Sequence, residues 1–98
     1  MDVSALRLTL AEDRPPDSLT PPLAALWWDA KGDWAKAHGC VDSEDGADAA
    51  WAHAYLHRKE GDLGNAGYWY RRAGRPMPSV SLEQEWAEVV AGLLDEAA

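Results

Sequence analysis

Two histidines, His53 and His57, stand four residues apart in a stretch that lacks both Pro and Gly, Trp51 to Glu60. On a helix that spacing turns both imidazoles to one side, as it does for the two zinc ligands of a His-Glu-x-x-His helix. Ala54 occupies the position of that motif's glutamate base, so the pair offers ligands without the hydrolytic partner. A third ligand is available in His38 or Cys40. Two imidazoles on one side of a helix can equally be packing groups, hydrogen-bonded within the core. Packing is the first expectation, with no cofactor or metal; a metal site on His53 and His57 is the alternative.

Other chemistry finds little support. Cys40 and His38 are two residues apart and so on different helix faces, which leaves no nucleophile with its base. The Gly-rich stretches follow helices and lack the Gly-Lys-Ser/Thr of a phosphate loop. The acids between Asp42 and Asp48 and between Glu83 and Glu88 read as solvated surface. The expectation is a protein that is not an enzyme.

Charge narrows the partners. The net charge is -8 over 98 residues, with a sequence pI near 4.6, and that disfavours a phosphate backbone, which needs a basic surface. The charge is uneven. Residues 1–52 carry ten acids against four bases, residues 53–75 two against five, and residues 76–98 five against none. The centre of the chain is a basic island in an acidic protein. Cys40 is the single cysteine, so no intrachain disulfide forms and a reducing compartment is expected. The start lacks the basic and apolar run of a signal peptide, and no stretch approaches the roughly 20 apolar residues of a membrane helix. The chain is expected in the cytoplasm, binding neither nucleic acid nor membrane. Six Trp and no Phe mean that indole rings supply much of the core.

The elements that position these residues are helices. Leu6, Leu8 and Leu10 alternate with polar residues in a strand-like pattern, and with no partner strand the segment 1–19 is expected as an extended arm. Thr20-Pro21 opens a helix, and Gly32-Asp33 ends it and caps the next, to about Val41. A third helix runs from about Ala47 to Glu60. Gly61-Asp62 repeats the stop and start before a fourth, to about Ala73. Ser81-Leu82-Glu83-Gln84 reads as a capping box for a last helix to about Asp95, whose face of Trp86, Val89, Val90, Leu93 and Leu94 is expected to cover the open side of the second hairpin. The fold class is all-α, with an arm at 1–19 and one domain at 20–98, made of hairpins at about 20–41 and 47–74 and a capping helix at about 82–95.

Gly32 and Gly61, Asp33 and Asp62, and Ala37 and Ala66 are each 29 residues apart, the mark of a repeated unit. Gly61-Asp62, Ala66, Tyr70, Ala73 and Pro78 match the second half of a tetratricopeptide unit in type and spacing, so the chain resembles that family over about residues 20–78. The first unit keeps Gly32-Asp33 and Ala37 but has Val41 and Glu44 in place of Tyr and Ala. The chain also looks like small bacterial proteins of uncharacterised function that share Leu-Trp-Trp-Asp-Ala-Lys-Gly-Asp-Trp and Tyr-Trp-Tyr-Arg-Arg-Ala. The tetratricopeptide resemblance implies a non-catalytic interaction module whose groove is lined by the first helix of each unit. Carried onto this chain, that face is Trp51, Tyr55, Arg58 and Lys59, rings and bases suited to an acidic peptide or a small anionic ligand. With only two units, a homodimer completing the stack is a further expectation.

Overall fold

The computed structural model describes the backbone of residues 1–97 and the side chains of residues 1–96. Six α-helices follow one another: α1 Val3–Leu8, α2 Pro21–Ala30, α3 Trp34–Val41, α4 Ala47–Glu60, α5 Leu63–Ala73 and α6 Leu82–Ala97. A 3-10 turn, Thr9–Ala11, extends α1, and no strand occurs among the described residues. No described helix is long and apolar enough to cross a membrane.

The two Gly-Asp pairs build the same turn twice. Gly32 and Gly61 take φ of 84° and 88°, a left-handed backbone that a Cβ would strain. The amide of Asp33 then donates to Trp28 O and that of Asp62 to His57 O, each at 3.0 Å. The Asp33 and Asp62 carboxylates cap the following helices by accepting from Lys36 N at 3.0 Å and Asn65 N at 3.2 Å. Both turns are 29 residues apart in every one of these contacts. They fold α2 against α3 and α4 against α5, the two expected hairpins.

The N-terminal segment is a correction. The expected extended arm is a helix, capped by the Asp2 carboxylate, which accepts from Ala5 N at 2.8 Å. Leu6 and Leu10 are four residues apart and so satisfy a helical stripe as well as an alternating one. Leu6 is fully buried, Leu10 is half-buried and Leu8 points to solvent. Lys31 fastens the segment by donating to Leu10 O and Glu12 O, and the Trp27 indole donates to Thr9 Oγ1. The radius of gyration, 12.2 Å, is close to the ~12.6 Å of a compact chain of this length. The arm therefore lies within the domain and does not project from it.

Helix α6 packs on the second hairpin, as expected, and on the first as well. It crosses α2 and α4, the first helices of both hairpins, with α1 against it. The Trp86 indole donates to Leu26 O at 2.9 Å, tying α6 to α2. Val89, Val90 and Leu93 bury their side chains in the same layer as Leu23, Leu26, Trp27 and Leu56. Ser81 caps α6 through Gln84 N, but Gln84 turns its own amide to Glu88, so only half of the capping box closes. Thr20 makes no side-chain cap bond; Pro22 at N2 has no N–H to offer, and the N–H of Leu23 at N3 is not taken up by its hydroxyl. All six Trp lie in the core or pack against it.

Candidate metal centre at three histidines

His53 and His57 share one side of α4, and both are buried. His38, from α3, closes the group from the first hairpin. Its Nε2 stands 2.9 Å from His53 Nε2, and one ring nitrogen from each histidine lies within 4.8 Å of the other two. Of the two expected sources of a third ligand, His38 is in place, and Cys40 is not in the group. Cys40 is partly buried on α3, and burial, with Asp42 adding to it, pushes its thiol up.

Aromatic rings fix the imidazole planes. Trp34 stacks on His38 with centroids 4.8 Å apart and planes 10° from parallel. Trp69, from α5, stacks on His53 at 4.0 Å and 15°, and the His53 and His57 rings stack at 4.8 Å and 24°. The Trp34 indole is itself anchored on Leu56 O, at 2.9 Å. Three helices of two hairpins thus hold the three rings.

A carboxylate orients one ligand. His57 Nδ1 donates to Glu60 Oε1 at 2.5 Å, which leaves Nε2 as the lone-pair nitrogen, the arrangement common behind metal-bound histidines. Asn65 Nδ2 approaches that Nε2 at 3.4 Å. His38 Nδ1 faces Asp42 Oδ2 at 4.0 Å, beyond a direct hydrogen bond but close enough to attract. Burial, followed by the fields of His38 and His57, lowers the His53 pKa to about 4, against a smaller opposing pull from Asp42. His53 is therefore neutral at physiological pH, the state a metal requires. A second group, His57, Glu60 and Asp62, is also close. Its carboxylates are already engaged, Glu60 on His57 and Asp62 at the α5 cap.

The expected peptide-binding face is occupied from within. Trp51 is buried, with the Arg75 guanidinium 3.4 Å from its ring centroid and Gly92 of α6 against its edge. The Tyr55 hydroxyl donates to Asp29 Oδ2 at 3.2 Å, and Lys59 donates to Asp29 Oδ1 at 2.9 Å. Arg58 donates to Glu85 Oε1 at 2.8 Å and to Val80 O, and the Tyr70 hydroxyl donates to Glu85 Oε2. These bonds zip α4 to α2 and α6. The two carboxylates at their centre, Asp29 and Glu85, are buried. Asp29 has a sequence signal, a lone acid inside an apolar helix beside Trp28, whereas Glu85 stands among the acids from Glu83 to Glu88 that were expected as solvated surface.

Comparison with known proteins gives no match to a family model, a curated protein or a solved structure. What the site does is therefore read from its geometry.

Proposed function

We propose that the chain binds one divalent transition-metal ion, zinc in the first instance, through His38, His53 and His57. The observation that carries this reading is the convergence of three imidazole nitrogens from both hairpins within 4.8 Å. Nitrogens about 2.0–2.1 Å from a tetrahedral zinc stand about 3.3–3.4 Å apart. The 2.9 Å between His38 and His53 lies within half an ångström of that, and the His57 nitrogen, within 4.8 Å of both, has to close in on the ion. Three nitrogens leave a fourth position for water or another ligand. In this reading the ion's work is to clamp α3 to α4, since His38 stands on one helix and His53 and His57 on the other. Zinc at a hundred times its dissociation constant would stabilise the fold by about 2.7 kcal/mol. The test is a thermal melt with and without zinc, for the wild type and for His53→Ala. Zinc should raise only the wild-type melting temperature, and an equal rise in both would remove the reading.

A second reading, a non-catalytic module for an acidic peptide or protein, is supported by a different surface from the expected one. On α5, Tyr68 is exposed and Arg72 lies over both Tyr68 and Trp69, with centroid distances of 5.9 and 5.3 Å. Exposed Met77 adds apolar area. This face belongs to the basic island, and an acidic partner is its complement. The cytoplasm, where the lone Cys40 thiol stays reduced, fits both readings. Loss of a captured partner in Arg72→Glu would support the module, and unchanged capture would remove this face from it.

A further inference from the structure

We propose that the fourth position of the three-histidine site opens toward Asn65 and takes a small monovalent anion from solvent, which the Asn65 side-chain amide holds. This rests on the metal reading and adds a ligand to it. No thiol or carboxylate joins His38, His53 and His57 within 4.8 Å among the described residues. Glu60 is engaged on His57 Nδ1, and Asp62 on the backbone N–H of Asn65. The chain therefore supplies three neutral donors and leaves the last position of a tetrahedral ion to an outside ligand.

Packing sets the direction of that opening. Trp34 covers one face of His38 and Trp69 one face of His53. His53 and His57 are buried, whereas Asn65 is exposed. Asn65 and Trp69 are four residues apart on α5, so one stripe of that helix brings both to the histidines. Asn65 Nδ2 stands 3.4 Å from His57 Nε2, and two ligands on a tetrahedral zinc are about 3.3–3.4 Å apart. An ion on that Nε2 takes its lone pair and frees the amide, which then donates to the atom beside it in the fourth position.

Charge decides the occupant. The ion is the largest local charge in such a site, and three neutral imidazoles cancel none of it. The Glu60 carboxylate behind His57 offsets half of a dication, which leaves a single positive charge for the outside ligand to meet. Asp42, 4.0 Å from His38 Nδ1 and largely exposed, is screened by solvent. An N–H donor at the rim favours an anion in the same way. The two indoles keep the opening narrow, so the anion is small.

Cobalt(II), which reports its ligands in the visible spectrum, replaces zinc in the test, and azide is the anion. The wild type should bind one cobalt per chain, and azide should change the cobalt bands saturably. Asn65→Leu should still bind one cobalt but need about tenfold more azide, the loss of one hydrogen bond to a charged group. Asn65→Asp, whose carboxylate takes the position itself, should bind cobalt more tightly and lose the azide response. Bound cobalt that ignores azide, or an equal azide response in the wild type and Asn65→Leu, would overturn the proposal and leave the metal reading standing. A cobalt spectrum unchanged in His53→Ala would remove both.

Discussion

His38 Nε2 and His53 Nε2 stand 2.9 Å apart across the junction of the two hairpins. At that distance one nitrogen donates and the other accepts, so this proton and the Trp34 indole bond to Leu56 O both tie α3 to α4. A metal ion can replace that proton and recruit His57, turning a two-centre contact into a three-centre one. The relation makes His38 the most informative ligand to remove. Its ring is the most exposed of the three, with 28% of the side-chain surface accessible.

His38→Ala should therefore keep the fold and lose the metal response. Zinc at a hundred times its dissociation constant should raise the wild-type melting temperature by about 10–20 °C and that of the variant by little. Differential scanning calorimetry on both proteins reads this directly. A full zinc response in the variant would mean that His38 is not a ligand.

Glu60→Gln addresses the orientation of His57. The amide that replaces the carboxylate accepts the Nδ1 hydrogen bond less strongly, and loss of such a partner weakens metal affinity about 10–100-fold. Isothermal titration with zinc should show weaker binding at unchanged stoichiometry. Unchanged affinity would mean that the Glu60 contact orients nothing.

The Arg58–Glu85–Tyr70 network should matter to stability and not to metal binding. Glu85→Ala leaves a half-buried guanidinium and a buried phenol without their partner, and breaking such a pair costs about 3–5 kcal/mol. Urea denaturation should register that loss, while zinc still stabilises whatever folded fraction remains. A loss below about 1 kcal/mol, the level of a surface pair, would contradict the burial assigned to Glu85.

How much of this was legible in the sequence depended on how local each signal is. Gly32-Asp33 and Gly61-Asp62 placed both hairpin turns, because a left-handed Gly followed by a capping Asp is a contact within a few residues. The leucines at 6, 8 and 10 misled because three positions fit period 2 as well as a helix turn, and burial of Leu6 in the core, with α1 against α6, is what decides. Asp29 and Glu85 went unread as organisers because their partners, 15 to 30 residues away, are set by helix packing. The same holds for the choice between His38 and Cys40. Both lie on α3, and only its rotation against α4 selects the imidazole. Trp51, Tyr55, Arg58 and Lys59 do share a region of α4, but α6 crosses that region, a placement that no local pattern encodes.

Without metal, stability should fall as the solution is acidified. The His53 pKa is lowered to about 4 in the folded state, against 6.5 for the free side chain, so the unfolded chain binds the extra proton first. Stability is then full above about pH 6.5 and declines as pH falls toward 4. His38 and His57 oppose protonation of His53, and Asp42 favours it. Urea midpoints of the metal-free protein between pH 7.5 and 4.5 should show this decline, reduced in His53→Ala. An identical pH profile in the variant would remove His53 as its source.

Gly92→Ala tests how closely α6 lies on α4. A Cβ at position 92 would come within 2.6 Å of the Trp51 ring, and overpacking of this kind costs about 1–3 kcal/mol. A melting temperature equal to that of the wild type would show that the Trp51 ring yields freely.

The most direct measurement is zinc K-edge X-ray absorption on the protein loaded with one equivalent of zinc and dialysed. A three-histidine site predicts one ion retained per chain, with imidazole nitrogens in its first shell at about 2.0–2.1 Å. A sulfur shell at about 2.3 Å would mean that Cys40 takes the ion. An oxygen-only shell, or no zinc retained after dialysis, would mean that the histidines are packing groups and nothing more.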